Sequence, residues 1–149
     1  MFFLFVLSCK NDTVTVYRDV DILLDSAATV TVGRVIDGDT FDFGIGSDTL
    51  GVRILGIDAF ETRHGSHLDS QAMTAKISVD SAFALGKRAK QFADSLLSGK
   101  SVLLVRDSKQ PAFDAFGRML RHVYYYEGSE SHDFGALMLQ KKLALVYTQ

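Results

Sequence analysis

Four short pieces of this 149-residue chain bring acids, arginines and turn residues together. Ile36-Asp37-Gly38-Asp39-Thr40 carries two carboxylates around a turn. Arg53-Ile54-Leu55-Gly56-Ile57-Asp58 sets a guanidinium on an apolar run that ends in a carboxylate. Asp58-Ala59-Phe60-Glu61-Thr62 follows at once, with two acids three residues apart at a strand end. Asp114-Ala115-Phe116-Gly117-Arg118 offers a second guanidinium beside a glycine turn. Calcium takes about 6–8 oxygen ligands, so Asp39, Asp58 and a backbone carbonyl would leave several positions for water. The planar fork of arginine suits bidentate contact with a phosphate. Each piece alone also has an ordinary reading: an Asp-Gly hairpin turn, a strand arginine facing solvent, a loop of solvated acids.

The elements that must position these residues follow from the pattern. Length argues one domain. With 47% hydrophobic and 23% charged residues, 12 Gly and 1 Pro, the chain is neither collagen-like nor disordered. A single cysteine, Cys9, excludes an intramolecular disulfide framework and a cysteine-based zinc site. From Ala28 the β-branched run reads as a strand up to the Asp37-Gly38-Asp39 turn. Thr40 to Ile45 and Thr49 to Ile57 complete a three-strand antiparallel meander. Gly65 to Asp80 is polar without a clean period, a long loop with at most a helical turn near 71–77. Ser81 to Ser98 reads as a helix on the spacing of Phe83, Leu85, Ala89, Phe92, Leu96 and Leu97, with Gly99 to end it. Val102 to Val105 and Met119 to Tyr126 are the fourth and fifth strands. Asp133 caps a last helix running through Leu143. The expected class is mainly β with helices (α+β), an OB-fold five-stranded Greek-key barrel with two helices.

Taken in order, Asp37-Gly38-Asp39-Thr40, Arg53-x-x-x-x-Asp58-x-x-Glu61-Thr62 and Phe116-Gly117-Arg118 resemble the staphylococcal nuclease (thermonuclease-like) family. Leu85-Gly86 opening a helix, its end at Leu96-Leu97-x-Gly99-Lys100-x-Val102, and Leu143-Ala144 closing the last helix agree. The resemblance spans Thr29 to Val146. It implies an OB-fold barrel and a calcium-dependent phosphodiesterase of DNA and RNA. It further implies Asp39 and Asp58 as direct calcium ligands with the Ala59 carbonyl, Glu61 as general base on the attacking water, and Arg53 and Arg118 on the scissile phosphate. The chemistry fits: a phosphodiester repels nucleophiles, so cations aimed at its developing charge give the largest aid, and a carboxylate helps a calcium-polarised water. This chain departs from the family pattern at Ala59-Phe60, where Thr-Pro is usual, and at Ala115-Phe116, where Lys-Tyr is usual. Its loop from His64 to Phe83 is longer and is expected to rim the site.

Residues 1–9 fit the end of a secretory apolar region, and Val6-Leu7-Ser8-Cys9 resembles a bacterial lipobox, although no Lys or Arg precedes Cys9. The expectation is an export signal with lipidated Cys9 as a membrane anchor, a tether over 10–27 with one edge strand, and a nuclease-like domain over 28–149, acting as a monomer in the periplasm or at the cell surface, or otherwise secreted. The alternative is a non-catalytic OB-fold lipoprotein of the envelope that binds nucleic acid or protein. The four histidines, lacking metal-ligand spacing, are read as ordinary loop and strand residues, and Tyr124–Tyr126 as packing. The net charge of −2 hides polarity along the chain. Nine acids face two arginines between Asp19 and Glu61, while six basic residues face two acids between Ala84 and Lys109.

Overall fold

The computed structural model describes residues 26–147. The expectations on 1–9 and on nearly all of 10–27 lie outside them. Alternating β-branched and aromatic residues build β1 (Ala27–Val35), β2 (Thr40–Ile45) and β3 (Asp48–Ile54), which pair antiparallel in sequence order. Ser101–Val105 (β5) pairs antiparallel with β1 and with β6 (Met119–Glu127). A parallel pairing of β3 with β6, Val52 opposite Met119, closes the ring. Five strands therefore form a closed OB-fold barrel, which leaves none of them with an unpaired edge. Its interior holds Val32, Phe41, Val52, Val102, Met119 and Val123.

Two helices seal the barrel. The longer one, α2 (Val79–Leu97), starts at Ser78, whose side chain accepts from the Ser81 amide, a cap that satisfies one free helix donor. It buries Ala82, Gly86, Ala89 and Ala93, a stripe of small residues that lets its backbone lie close to its neighbours, and ends on the buried Leu97. Beside it, with the Phe92 and Phe134 rings 6.5 Å apart, α3 (Phe134–Gln140) starts from Asp133, which accepts from the Ala136 amide at 2.9 Å. It buries Phe134 and Met138 in the core, each contributing roughly 1.5–3 kcal/mol.

The element list is longer than the sequence pattern suggested, and each difference bears on the site. The third strand is not continuous to Ile57. It breaks at Leu55-Gly56, where Gly56 takes a positive φ of 80°, and the chain leaves the barrel as β4 (Ile57–Ala59). The last helix stops at Gln140 because Lys142 turns left-handed, φ 57°. Leu143 and Ala144 thus do not close a helix; they lead into β8 (Ala144–Val146), which pairs antiparallel with β4, Asp58 opposite Leu145. Leu85-Gly86 lies inside α2 and does not open it. The tail of β6 pairs with a further strand, β7 (Glu130–Asp133). Finally, the long loop contains a ten-residue helix, α1 (Ser66–Ala75). Its serine and threonine hydroxyls turn back onto the helix, Ser70 Oγ on the Ser66 carbonyl and Thr74 Oγ1 on the Ser70 carbonyl, both at 2.9 Å. Only Leu68, Gln71 and Ala72 are buried on it, an apolar stripe too short to show as a period. None of the described helices is long and apolar enough to cross a membrane.

Candidate active site

The break at Gly56 folds β4 back beneath β3, bringing Asp58 under Arg53. The Arg53 guanidinium donates to Asp58 Oδ1 at 2.7 Å and, through Nη1, makes a short contact with Asp39 Oδ1. Asp39 sits at the start of β2, 1% exposed. Its other oxygen accepts from the Ala59 amide, and Thr40 Oγ1 donates to Oδ1 at 3.0 Å. Burial pushes the Asp39 carboxyl well above the ordinary carboxylate value, and the charge of Asp37 adds to the shift. Arg53 and the Ala59 amide pull the other way without cancelling it. For Arg53, burial opposes the charge, but Asp39 and Asp58 overcome it and raise its pKa.

On the facing side, the parallel register of β3 and β6 carries Arg118 to the rim just before β6 begins. Its side chain lies along Gly51: a Cβ there would stand 3.1 Å from Arg118 Cγ. Asp114 organises this loop. Its Oδ1 accepts from the amides of Phe116 and Arg118, each at 2.9 Å, and its Oδ2 takes Arg118 Nε at 2.6 Å. Although burial acts to raise it, these bonds hold the Asp114 carboxyl below its ordinary value. Arg118 Nη1 reaches Thr40 Oγ1 at 3.4 Å. The Thr40 hydroxyl therefore links Arg118 to Asp39.

Arg53, Asp58, Glu61 and Arg118 line one open cleft of about 580 Å³. Asp39 lies beneath it, and the Ala59 carbonyl is turned to Gln71 Nε2 at 2.8 Å. The chain thus gathers all six residues singled out in the sequence at one place. Phe116, 84% exposed, stands at the mouth with the Arg118 guanidinium 5.4 Å from its ring centre.

Among the residues at the site that were not foreseen, two come from α1. His67 Nδ1 lies 2.8 Å from Glu61 Oε1 and lines the cleft. His64 stacks on Phe83, with ring centres 4.3 Å apart. Gln71, 4% exposed, contacts Asp58, Ala59 and Glu61 together. The signal in the sequence was the four-residue spacing of His67 and Gln71, which places both on one helix face. In the tyrosine run, Tyr125 packs in the core as expected, and Tyr126 is 46% exposed.

A family model of staphylococcal nuclease homologues matches residues 51–149, more than half of the chain. The chain belongs to the staphylococcal nuclease family. That match takes in Arg53, Asp58, Glu61 and Arg118. The Asp37–Thr40 turn precedes it, and the fold joins that turn to the same site through the contacts of Asp39. The chain is also similar to an uncharacterized protein of Methanocaldococcus jannaschii, 27% identical over 119 residues. That similarity covers 78% of this chain and 58% of the archaeal protein, so the chain spans little more than half of that relative's length.

The donor set also fits the cation that the family implies. Among the described residues no three His, Cys, Asp or Glu side chains cluster as a ready metal cage. What converges is two carboxylates and a carbonyl, all hard oxygen donors of the kind calcium takes, with waters to complete the shell. One guanidinium spans Asp39 and Asp58, and one amide spans Asp58 and Ala59. Asp39 and Asp58 are therefore tied through one cation, and Asp58 and the Ala59 carbonyl through one neutral amide. Burial leaves the Asp39 charge under-compensated, which a divalent ion would relieve.

Proposed function

We propose that this staphylococcal nuclease family member is a calcium-dependent nuclease that hydrolyses phosphodiester bonds of DNA, RNA or both. The observation that carries the reading is the cleft itself: a partly exposed Glu61 that shares it with two arginines and Asp58, above buried Asp39. Asp39, Asp58 and the Ala59 carbonyl would hold the cation. Bound there, calcium supplies Lewis-acid polarisation and a template for the phosphate and water.

The chain's own residues do the rest. Glu61 accepts the proton of the attacking water, the carboxylate's part in general base catalysis. Arg118, fixed by Asp114 through its Nε, turns its outer edge to the phosphate oxygens, with only a long 3.4 Å contact from Nη1 to Thr40 to give up. Arg53 turns part of its fork from the carboxylates to the phosphate, since it cannot fill both roles with the same N–H groups. The charge growing on the phosphate is then met by two cations, where losing one donor typically costs about 10²–10³ in rate. The exposed Lys87 and Arg88 on α2 add a weak, salt-sensitive attraction for the polyanion.

We also propose that the protein is exported, anchored through lipidated Cys9 and active as a monomer. Support lies in the apolar run ending at Ser8-Cys9. Replacing Cys9 with Ser is expected to move the protein from the membrane fraction to the soluble one. The activity is tested by incubating purified protein with single-stranded DNA, double-stranded DNA and RNA in calcium, magnesium or chelator. Hydrolysis in calcium that stops with chelator is expected. Binding without cleavage in every condition would favour the non-catalytic module.

A further inference from the structure

The helix α1 has a docking arrangement of its own. Leu68 and Ala72 pack with Phe60 and Ala82 in an apolar cluster separate from the barrel core. Gln71 lies between Leu68 and Ala72 on the same buried face. A buried amide normally costs stability unless its donors and acceptor are paired. Here the pairing runs entirely to one segment of four residues. Gln71 Nε2 donates to Asp58 Oδ2 and to the Ala59 carbonyl, both at 2.8 Å, while Oε1 accepts from the Glu61 amide at 2.9 Å.

We propose that Gln71 is a positioning residue of this site, holding Asp58, the Ala59 carbonyl and Glu61 in one frame, so that calcium ligands and general base are set by a single side chain. The inference rests on the nuclease reading above and adds to it the residue that builds the site. Chemistry favours an amide for this task. Carboxylate and carbonyl oxygens each have a second lone pair, so Gln71 can keep its bonds while a cation takes the other side. An amide donates without charge. A lysine there would neutralise Asp58 and compete with the cation, and a glutamate would have no donor to offer. Partners of this kind, one shell behind the ligands, typically change metal affinity or activity by about 10–100-fold when removed.

The test uses Gln71→Met, which keeps length and burial but has no donor, and Gln71→Asn, whose amide is one methylene short. Calcium binding is titrated calorimetrically on wild type and variants, below the unfolding transition of each. The expected result is a calcium Kd raised by about 10–100-fold in both. At saturating calcium, kcat should fall while KM for the nucleic acid stays put, because Arg53 and Arg118 still meet the phosphate. A role confined to stability would leave the Kd of the folded variants at the wild-type value, and that result overturns the inference. One measurement needs no variant. In metal-free wild type the Glu61 amide should be protected from hydrogen exchange, and exchange at the free-peptide rate would overturn the contact itself. If wild type binds calcium and cleaves while Gln71→Met does both equally well, only the Gln71 role falls. If wild type neither binds calcium nor cleaves, the nuclease reading falls and takes this inference with it.

Discussion

The backbone of Glu61 crosses α2 directly over Gly86. A Cβ at that position would lie 2.6 Å from the Phe60 carbonyl oxygen and closer still to that of Glu61. No larger residue fits without moving backbone, so this glycine sets how deeply the Asp58–Glu61 segment can sit on the helix. Gly86→Ala should destabilise the fold by about 1–3 kcal/mol, the usual cost of overpacking. It should also lower the cleavage rate at temperatures where the variant is folded, because the displaced atoms carry the base. Denaturant unfolding and steady-state kinetics check the two parts separately.

The two arginines should differ in kind. Arg118→Ala is expected to cost about 10²–10³ in kcat with little loss of stability, since its partner Asp114 keeps two backbone amides. Arg53→Ala should lose as much rate and also destabilise the protein by about 3–5 kcal/mol, because it strips the buried Asp39 of its guanidinium. Lysine at position 118 should not restore the rate, as a point charge cannot reproduce the fork. Thermal melts beside kinetics separate the pair. Equal stability of the two alanine variants would contradict this division.

How much of this could be seen in the chain beforehand depends on the kind of residue. That Asp39, Arg53, Asp58, Glu61 and Arg118 gather at one place was legible because charged groups at turns and strand ends leave few structural explanations once they occur in a family's order. The barrel strands were legible because β1, β2 and β6 are rich in β-branched and aromatic residues. The break at Gly56 was hidden, because Leu55 and Ile57 continue the apolar run on both sides of it and both are buried. The short β8 was hidden because a three-residue strand held by β4 has no period of its own. Gln71 was hidden for a different reason. A polar residue on a weakly amphipathic helix looks solvated, and only the docking of Leu68 and Ala72 turns it inward.

Asp114 makes a pH prediction with a definite sign. Its folded-state carboxyl lies below the ordinary value, held there chiefly by bonds from Arg118 and Phe116 against the effect of burial. The stability it adds is therefore present above the unfolded carboxylate value, near ~3.9, and is lost as pH falls through the folded value. Wild type should be more stable than Asp114→Asn at neutral pH, and the gap should narrow on acidification below about pH 4. A gap that widens towards acid would reverse the assignment.

Salt should weaken substrate capture only gently. With two guanidinia on phosphate, the slope of log affinity against log salt should be about −1.8 for duplex DNA and about −1.4 for a single strand. Binding of a short oligonucleotide to Glu61→Gln at several salt concentrations gives that slope. A slope near these values would mean that Lys87 and Arg88 act only at a distance, and a much steeper one that they contact phosphates directly.

The central claim is that Glu61 works in a calcium-dependent phosphodiesterase. It is tested most directly by measuring single-turnover DNA and RNA hydrolysis against calcium concentration, for wild type and Glu61→Gln together. The account predicts saturable activation by calcium, its abolition by chelator, and a loss of about 10²–10⁴ in the variant, the usual scale for a general base. Wild type that cleaves neither nucleic acid in calcium, or cleaves no faster than Glu61→Gln, would contradict it.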